Sequence, residues 1–517
     1  MDALSNLWRR NPTLCAAIVI AMVVLVRIAV VIATPMEIGP DESQYWRWSR
    51  TLDFGYYSKP PLIAWIIAAS TAVFGDGEWA IRLPSPILHG IAAMFLFLLG
   101  KQAFNARVGA WAAALYLLMP GITLSSTIMS TDAVLLPAWA GAIYFLWRFR
   151  DSGNMGDAIL AGAMIGLAML GKYAALYLWG GAALAALLDR DMRKAVLSPA
   201  GVAMVLASLV VWGPNIWWNF AHDFATVSHT ADNANLGEAG FNPLHVFTYL
   251  GDQAAVFGPI SLLLLLAGFA LILGRKDKWT TSRELWLLAF VAPPLIVIMG
   301  QEILSRAHAN WAATAYPGAC VLLASWIDRG FGSDTSRVKV SPFLKAGVAL
   351  NAVVGIAFMV FWLSPSLADS LRASSGMKGV RGWEETVAGL DAKARELGAT
   401  AILVDDRELW HGIDYYSRNI AFAPLRTWLH DSHPRSHAEE AGMLQPGDDT
   451  RLLIASIAPA DRPMIRADFA STEPVGYLTI PLGPTRARKL KLYLASGYKQ
   501  APRVPGYEKQ FEGRAEE

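Results

Sequence analysis

Residues 14–33 read LCAAIVIAMVVLVRIAVVIA, an apolar run long enough to cross the hydrocarbon core of a membrane. Arg9 and Arg10 precede it. The run is longer than the apolar core of a secretory signal, and no small-residue cleavage pattern follows it. We therefore expect it to remain in the protein as the first membrane span.

The composition also favours a membrane protein. Of the 517 residues, 54% are hydrophobic and 17% are charged, whereas soluble domains are about 45–50% apolar and about 25% charged. The net charge of +2 gives none of the basic excess that a nucleic-acid partner requires, which argues against nucleic-acid binding. Cys15 and Cys320 both lie in apolar runs, so we assign them to packing and not to a disulfide or a metal site.

Further apolar segments predict a mainly α membrane protein, a polytopic helical bundle with about eleven spans. The expected spans lie near residues 14–34, 83–100, 108–126, 132–148, 157–171, 173–188, 196–217, 252–274, 285–303, 309–327 and 343–364. Lys and Arg cluster in alternate loops, whereas residues 219–251 contain neither. The positive-inside rule then places residues 35–82, residues 219–251 and everything after about Ser364 outside the cytoplasm.

The first external loop contains GPDESQYWRWSRTLDFGYYSKPPLIAW at residues 39–65. The uncharged run from Pro60 to Gly75 is about fifteen residues long, too short to span comfortably. If it spanned, the basic loops would face outward, so we expect a helix at the membrane surface. Together with the amphipathic stretch Asp41–Leu52, it predicts two short juxtamembrane helices joined by an aromatic turn.

After Ser364 the sequence becomes polar and charged, so we divide the chain into a transmembrane domain at 1–364 and a soluble α/β domain at 365–517. The patterns predict helices at 383–397 and 407–416 and strands at 399–404 and 451–457, followed by a disordered tail from Arg503. The sequence contains no internal repeat, Walker loop, CxxC or HExxH motif, so ATP hydrolysis and zinc hydrolysis have no support.

Ionisable side chains gather on the external face. Asp41 and Glu42 follow the first span closely, although a helix cap would explain them equally well. Lys59, between two tyrosines and two prolines, is placed to snorkel or to hold a lipid phosphate. Asp132 opens a later span, again with a cap as the alternative. The same face receives Lys172, Arg306, His308, Asn310 and Trp311, and ionisable groups at membrane depth usually mark a site.

These residue types suit glycosyl transfer from a polyprenyl phosphate. A basic residue neutralises the phosphate leaving group, and a carboxylate takes the proton of the acceptor hydroxyl. Because the lipid phosphate already activates the sugar, neither a nucleotide site nor ATP is required.

The order of several motifs resembles a known family. They are DE at 41–42 followed by YW at 45–46, GYYSKPPL at 55–62, RLPS at 82–85, TD at 131–132, GKY at 171–173, HANWAATAYPGA at 308–319 and GWEE at 382–385. The chain is similar to the GT-C glycosyltransferases that include protein O-mannosyltransferases and the bacterial transferase that adds aminoarabinose to lipid A. The similarity extends over the multi-span body and the start of the soluble tail.

The resemblance implies roles for individual residues. Asp41 looks like the catalytic aspartate, Lys59 like the lysine that holds the lipid phosphate, and Asp132 like a second external acidic position. The remaining expected substrate-binding residues are Glu42, Tyr45, Tyr57, Arg82, Lys172, Arg306, His308 and Asn310. The family inverts the anomeric centre in one displacement from a polyprenyl or dolichyl phosphate sugar.

One departure concerns a metal. Where the aminoarabinose transferase has a glutamate that helps to hold a metal, this chain has Ser58. We therefore expect no required cofactor, and a divalent metal held with help from His222 and His229 is the alternative.

Our leading hypothesis is a bacterial inner-membrane transferase with a periplasmic active site, whose acceptor is lipid A, lipopolysaccharide core or another envelope glycan. A protein acceptor is the second hypothesis. A transporter or flippase would show repeated helical bundles and use charges within the membrane. The sequence shows no inverted repeat, and the ionisable residues singled out above gather at one face instead of the midplane. A structural scaffold would leave Asp41, Lys59 and Asp132 without a role.

Overall fold

The computed structural model describes residues 10–233, 240–274, 276, 280–331, 339–444, 450–504 and 507–511. These residues divide into two compact units. The first, which we call the helical unit, comprises 1–33 and 52–360; the second, the sheet unit, comprises 34–51 and 361–517. Arg9, part of the expected first cytoplasmic flank, lies outside the described residues.

The helices are α1 (Pro12–Ala33), α2 (Pro40–Ser49), α3 (Leu62–Phe74), α4 (Glu78–Arg82), α5 (Pro84–Ala103), α6 (Ala106–Leu117), α7 (Pro120–Ser125), α8 (Thr131–Ser152), α9 (Met155–Gly171), α10 (Leu176–Leu188), α11 (Arg190–Val196), α12 (Pro199–Ala221), α13 (Ala225–Asn233), α14 (His245–Phe257), α15 (Pro259–Leu273), α16 (Ser282–Leu304), α17 (Tyr316–Arg329), α18 (Val340–Leu363), α19 (Pro365–Ser370), α20 (Trp383–Leu397), α21 (Arg407–Ser417), α22 (His437–Ala441) and α23 (Arg462–Ala467). Short 3-10 helices cover Tyr173–Ala175, Ala309–Ala315, Ser374–Val380 and Glu508–Phe511.

Among the described residues, five helices are long and apolar enough to cross a membrane. They are Pro12–Ala33, Glu78–Ala103, Pro199–Ala221, Ser282–Leu304 and Val340–Leu363. Shorter apolar helices occupy Leu62–Phe74, Met155–Gly171 and Tyr173–Leu188. The mainly α membrane fold is thereby confirmed, and the number of eleven spans stays a prediction.

The segment expected to span at 252–274 is divided by a bend of 117° between α14 and α15. Gly258 lies at the bend with φ of 94°, a backbone conformation that favours glycine. A Cβ atom here would lie 2.2 Å from the Asn351 side chain. Pro259 then starts α15, where its missing N–H would have had no helical partner. The sequence pattern gave the correct apolar content but missed this break.

Small residues bring helices of the helical unit into close contact. A Cβ on Gly100 of α5 would lie 2.7 Å from the Cα of Gly109 on α6. Close backbone approach through small residues is a usual way to pack helices in a membrane. Cys15 and Cys320 are both buried and unpaired, which agrees with the packing role expected for them.

The described part of the sheet unit forms a five-stranded sheet. Its strands are β1 (Ala401–Val404), β2 (Leu425–Thr427), β3 (Leu452–Ser456), β4 (Phe469–Gly483) and β5 (Arg486–Tyr498). The order is β2-β1-β3-β5-β4, with β1 parallel to β2 and β3 and with β5 antiparallel to β3 and β4. Trp383, Leu390 and Ile413 of α20 and α21 belong to the same buried cluster as Leu453 of β3. The expected α/β class of this unit is confirmed.

The tail after Arg503 was expected to be disordered, and the described part contradicts this expectation. The guanidinium of Arg503 lies 2.6 Å from the Asp468 carboxylate, and both side chains are almost fully buried. Tyr507 is buried, and Glu508–Phe511 forms a 3-10 helix. The alternating charges that suggested disorder include one half of a buried ion pair.

Residues 34–51, which the sequence division put with the transmembrane part, are instead part of the sheet unit. The Glu37 carboxylate accepts hydrogen bonds from the backbone N–H groups of Trp383 (2.7 Å) and Glu384 (2.9 Å). A carboxylate at a helix N-terminus satisfies unpaired N–H groups and interacts favourably with the helix dipole. The Ile38 N–H donates to the Tyr416 hydroxyl at 2.7 Å. These contacts link the segment just before α2 to α20 and α21, which lie 346 and 378 positions later in the chain.

A stacked histidine pair lies beneath α2. The rings of His411 and His437 are nearly parallel with centroids 5.4 Å apart, and Trp48 of α2 contacts His437 edge-on. Burial lowers the pKa of His437 to about 4 and holds the pKa of His411 well below its ordinary value. Arg47 adds to both shifts by charge repulsion, and His411 also faces Arg407. Both rings are therefore neutral when folded.

Acidification is expected to weaken the sheet unit through these rings. Below pH about 6.5 the two histidines bind protons in the unfolded chain but stay neutral in the folded protein. The free energy of unfolding therefore falls as the pH drops toward the pKa values of the folded state. From pH 7.5 to 5.5 we expect a loss of about 1 kcal/mol per histidine. Thermal unfolding of wild type and of His411→Phe/His437→Phe at both pH values measures this loss.

Carboxylates in the same unit act in the opposite direction. Burial raises the pKa of Asp405 to about 6 and raises that of Asp414 above its usual value. Wild type and the double phenylalanine variant both keep these carboxylates. The difference between their pH dependences of stability therefore reports the contribution of the two histidines. An equal pH dependence in the two proteins would contradict the assignment.

Candidate functional site

The eleven residues singled out from the sequence fall into both units. Asp41, Glu42 and Tyr45 belong to the sheet unit. The other eight belong to the helical unit: Tyr57, Lys59, Arg82, Asp132, Lys172, Arg306, His308 and Asn310.

Asp132 is the centre of a polar cluster in the helical unit. It lies in the first turn of α8 after the cap residue Ser130, whose hydroxyl accepts from the Ala133 N–H. One oxygen of the buried Asp132 carboxylate lies 2.8 Å from the Lys172 ammonium, and the Asn310 side chain donates to the other. The sequence placed these three residues on one face, and the structure brings them into contact. The carboxylate holds together three segments of chain.

Lys172 reaches this cluster because the chain breaks there. Helix α9 ends at Gly171, Lys172 is extended with φ of −166°, and a 3-10 turn follows at Tyr173–Ala175. The Tyr173 hydroxyl donates to Asn215 at 2.9 Å and accepts from Asn219 at 2.9 Å. The break between the two expected spans, at Gly171–Tyr173, therefore takes the Lys172 ammonium and the Tyr173 hydroxyl out of the regular path of α9.

The aromatic loop at 53–61 is fixed on α12 and α13. The Asn215 amide donates to the Phe54 carbonyl at 2.7 Å, and the Thr226 hydroxyl donates to the Tyr56 carbonyl at 2.7 Å. A Cβ on Gly55 would lie 2.3 Å from the Trp218 ring, so only glycine allows this approach. The α2 and α3 helices on either side of the loop confirm the two expected short helices.

Lys59 lies in this loop, partly buried, and its carbonyl accepts from the Tyr56 N–H at 3.1 Å. The ring of Tyr57 lies 5.6 Å from that of His229. Loop backbone contacts to α12 and α13 thereby fix the position from which the Lys59 side chain extends.

Three other expected residues have different environments. Arg82 is fully buried at the end of α4. Arg306 and His308 are exposed, with the His308 ring 5.2 Å from Trp311. The backbone between them is held by the buried Glu302, whose carboxylate accepts from the Ala307 N–H. Asn310 alone of this segment's expected residues reaches Asp132.

Asp41 is the exposed carboxylate of α2. Its side chain is 65% exposed, and its oxygen lies 3.6 Å from the Arg407 guanidinium, itself 47% exposed. An exposed pair at this distance is weak. The helix beneath it is firmly held, because Trp46 packs edge-on against Tyr415 at 5.0 Å and Arg407 donates to Gln44 at 3.3 Å. Asp41 therefore combines a fixed backbone with an accessible carboxylate.

Glu42 and Tyr45 point inward from the same helix. Glu42 is buried, and its carboxylate accepts a hydrogen bond from the Gly39 N–H at 3.0 Å, which caps the start of α2. Tyr45 is buried with its ring 5.6 Å from Trp48. These positions favour structural roles for both residues, and the cap that the sequence left open for the acidic pair is made by Glu42.

Arg27 is a buried charge that the sequence reading passed over. It lies inside α1 and donates to the hydroxyls of Ser126 (2.9 Å) and Thr123 (3.0 Å) and to the Leu117 carbonyl. Leu117 is the last residue of α6, so the guanidinium satisfies a helix-end carbonyl inside the helical unit. The signal was available, since an arginine inside an apolar span is rarely without a role.

Replacing Arg27 with methionine is expected to destabilise the helical unit by about 2 kcal/mol or more. The methionine fills most of the space but leaves a carbonyl and two hydroxyls without their donor, and buried polar groups are costly when unpaired. Thermal unfolding in detergent gives the loss, with Arg10→Met as an exposed control. Equal melting temperatures for Arg27→Met and Arg10→Met would show that the hydrogen bonds of Arg27 do not contribute to the stability of the helical unit.

Ser58, the position of the departure from the family pattern described above, is buried. His222 is stacked on Trp218 at 4.1 Å and its Nδ1 contacts the Trp218 carbonyl. The described residues contain no cluster of three or more His, Cys, Asp or Glu side chains able to hold a metal. Metal dependence stays open to experiment.

An apolar cavity of about 410 Å³ lies within the helical unit. It is bounded by α10, α14, α15 and α16, and Tyr249 and Gln253 are at its polar margin. The bend at Gly258 separates two of these helices and so helps to form it.

Several apolar helices of spanning length, a buried polar cluster at helix ends and an α/β unit define a multi-pass membrane protein. Residues 58–218 match the family described as dolichyl-phosphate-mannose-protein mannosyltransferase. The chain is 35% identical over 387 residues to the lipid A galacturonosyltransferase RgtD of Rhizobium johnstonii, covering 74% of this chain and 78% of that protein.

A second relative, the lipopolysaccharide core galacturonosyltransferase RgtA of the same organism, is 24% identical over 55% of this chain and 59% of its own length. Among solved structures, ArnT from Cupriavidus metallidurans bound to undecaprenyl phosphate has a TM-score of 0.61 at 14% identity, covering 94% of this chain and 99% of that one. This chain belongs to the GT-C superfamily of glycosyltransferases. The transporter and scaffold hypotheses are therefore wrong.

Proposed function

We propose that this protein transfers a sugar from a polyprenyl phosphate, specifically undecaprenyl phosphate, to lipid A or to the lipopolysaccharide core. The observation that carries the proposal is the 35% identity with a lipid A galacturonosyltransferase over most of both chains. A second relative is named a core galacturonosyltransferase. Both names point to galacturonic acid as the transferred sugar.

The proposed reaction is a single displacement with inversion. An acceptor hydroxyl attacks the anomeric carbon while the bond from that carbon to the phosphate oxygen breaks. The Asp41 carboxylate accepts the hydroxyl proton, and polyprenyl phosphate leaves with the bonding electron pair. Lys59 neutralises the charge that develops on that phosphate. The exposure of Asp41 supports its role, because a base must be reachable by the acceptor.

Asp132, Lys172 and Asn310 have a positioning role in this proposal. Both carboxylate oxygens of Asp132 already have partners within the protein, so Asp132 is less suited than Asp41 to take a proton. The apolar cavity of the helical unit offers a surface for part of the polyprenyl chain. We further propose the bacterial inner membrane as the location, with the sheet unit in the periplasm, from the distribution of basic loops.

The test is a donor panel with purified protein. Undecaprenyl phosphate carrying galacturonic acid, glucuronic acid, aminoarabinose or mannose is supplied with lipid A, with core oligosaccharide or with a Ser/Thr-rich peptide. We expect transfer from the galacturonic acid donor to a lipopolysaccharide acceptor. Transfer of mannose to the peptide would instead support protein O-glycosylation, the second candidate, which the matching family model favours. Consumption of no donor would refute the proposal.

A further inference from the structure

A polar cavity of about 420 Å³ lies within the sheet unit. The segment that follows α18 forms one wall, and the turn between β4 and β5 forms the other. Its described lining contains Arg372, Lys378 and Arg486 together with hydroxyls of Ser370, Ser374, Ser375 and Thr485. Guanidinium groups combined with hydroxyl donors form a suitable set for a phosphate.

The cavity has an excess of positive charge. Asp369 is the only carboxylate among the described lining residues, and the Arg381 guanidinium neutralises it at 3.0 and 3.1 Å. The Lys378 ammonium also interacts electrostatically with the Glu408 carboxylate, so we do not count it among the principal donors of the cavity. Arg372 and Arg486 have exposed side chains with no hydrogen bond or ion pair within the described part of the chain. Two guanidinium groups are thus available to a ligand.

The backbone is shaped around this cavity. Arg372 has φ of 56°, in the left-handed region that side chains other than glycine seldom adopt. Such conformations persist when the surrounding structure imposes them, and they concentrate at binding sites. Gly483 has φ of 146°, and a Cβ there would lie 3.2 Å from the Asp369 carboxylate. The close approach of the β4–β5 turn to Asp369 therefore depends on glycine.

The cavity is close to the membrane along the chain. Arg372 follows Leu363, the end of spanning helix α18, by only nine positions, and six of the intervening residues form α19. Because a helix rises about 1.5 Å per residue and extended chain about 3.5 Å, the connection reaches on the order of 20 Å at most. Lipid headgroups lie within that reach.

We propose that this cavity binds the phosphate of an anionic lipid, with Arg372 and Arg486 as its principal donors. A net negative lipid is favoured over a zwitterionic one because the cavity has no carboxylate left to receive a positive headgroup. Its described lining includes none of the residues assigned to glycosyl transfer. Its test measures binding and so does not depend on the transferase function.

The experiment uses the purified full chain in detergent and measures lipid binding by native mass spectrometry. Dioctanoyl phosphatidylglycerol, dioctanoyl phosphatidylcholine and inorganic phosphate are titrated separately. We expect phosphatidylglycerol to bind at least about tenfold more tightly than either of the others. In Arg372→Gln/Arg486→Gln, its affinity should fall about tenfold or more, the usual size of a lost charge-assisted contact.

The matched control is Lys489→Gln/Lys499→Gln, which removes two exposed cations of the same unit outside the cavity. It should bind as wild type does. Equal loss in both double variants would overturn the proposal, and so would equal affinity for the three probes. If the arginine double variant melts early, Arg486→Gln alone replaces it, since its side chain has no hydrogen bond or ion pair to lose among the described residues.

Discussion

Asp41→Asn is expected to lower the rate of glycosyl transfer by about 10²- to 10⁴-fold, the range that general base catalysis supplies. Asparagine keeps the size of aspartate but cannot accept the acceptor proton. The exposed carboxylate makes one weak ion pair, with Arg407 at 3.6 Å, so the fold should tolerate the change. Single-turnover transfer measures the loss, and thermal unfolding confirms that the variant is folded.

Two controls make the result specific. Asp76→Asn removes an exposed carboxylate outside α2 and should leave transfer within about twofold of wild type. Arg407→Gln removes the partner of Asp41 and should have a much smaller effect than Asp41→Asn, because an exposed ion pair contributes little. Activity of Asp41→Asn within tenfold of wild type would mean that another group accepts the proton.

Asp132→Ala is expected to destabilise the helical unit by about 3 kcal/mol. The Lys172 ammonium, 20% exposed, loses its partner at 2.8 Å, and the Asn310 amide loses its acceptor. Breaking a buried ion pair by removing one partner costs about 3–5 kcal/mol, and we take the lower end because Lys172 is partly exposed. Thermal unfolding in detergent, without donor, reports the change.

The companion variant is Asp132→Leu/Lys172→Met, which removes both charges at similar volume. Since no charge is left unpaired, it should be clearly more stable than Asp132→Ala. Transfer should fall in both variants if the cluster positions the substrate. A double variant that melts as early as Asp132→Ala would show that the Lys172 charge is not the source of the loss.

Patterns of local origin were predictable from the sequence. The helix at 383–397 was placed at its observed bounds, because tryptophan, valine and leucine recur at helical spacing and Gly398 ends it. The strands at 401–404 and 452–456 are short buried apolar runs, and both were anticipated within two residues. Counting loops predicted that Asp132, Lys172 and Asn310 lie on one face, but not that they are in direct contact.

The β4–β5 hairpin was missed for an identifiable reason. β4 contains Pro474 and Pro481 and is mostly exposed, so it shows neither a buried run nor regular alternation. It is an edge strand, where a proline without an N–H can be accommodated, and its pairing shifts register near both prolines. β4 is recognisable as a strand only from its antiparallel pairing with β5 in the structure.

The placement of residues 34–51 also could not be read from the sequence. Proximity to the first span suggested that α2 belongs with the membrane helices. The Glu37 cap on α20 and the packing of Trp46 on Tyr415 instead place it in the sheet unit. These contacts join segments hundreds of residues apart, and a single sequence contains no signal of them.

The most direct test of the proposed function is a single-turnover reaction that follows both products. Enzyme in excess is mixed with radiolabelled undecaprenyl phosphate galacturonic acid and a lipopolysaccharide acceptor, and released undecaprenyl phosphate and new glycoside are measured together. The two should appear at equal rates and in equal amounts, with both lost in Asp41→Asn. Release of undecaprenyl phosphate without glycoside, or full transfer by Asp41→Asn, would contradict the proposed mechanism.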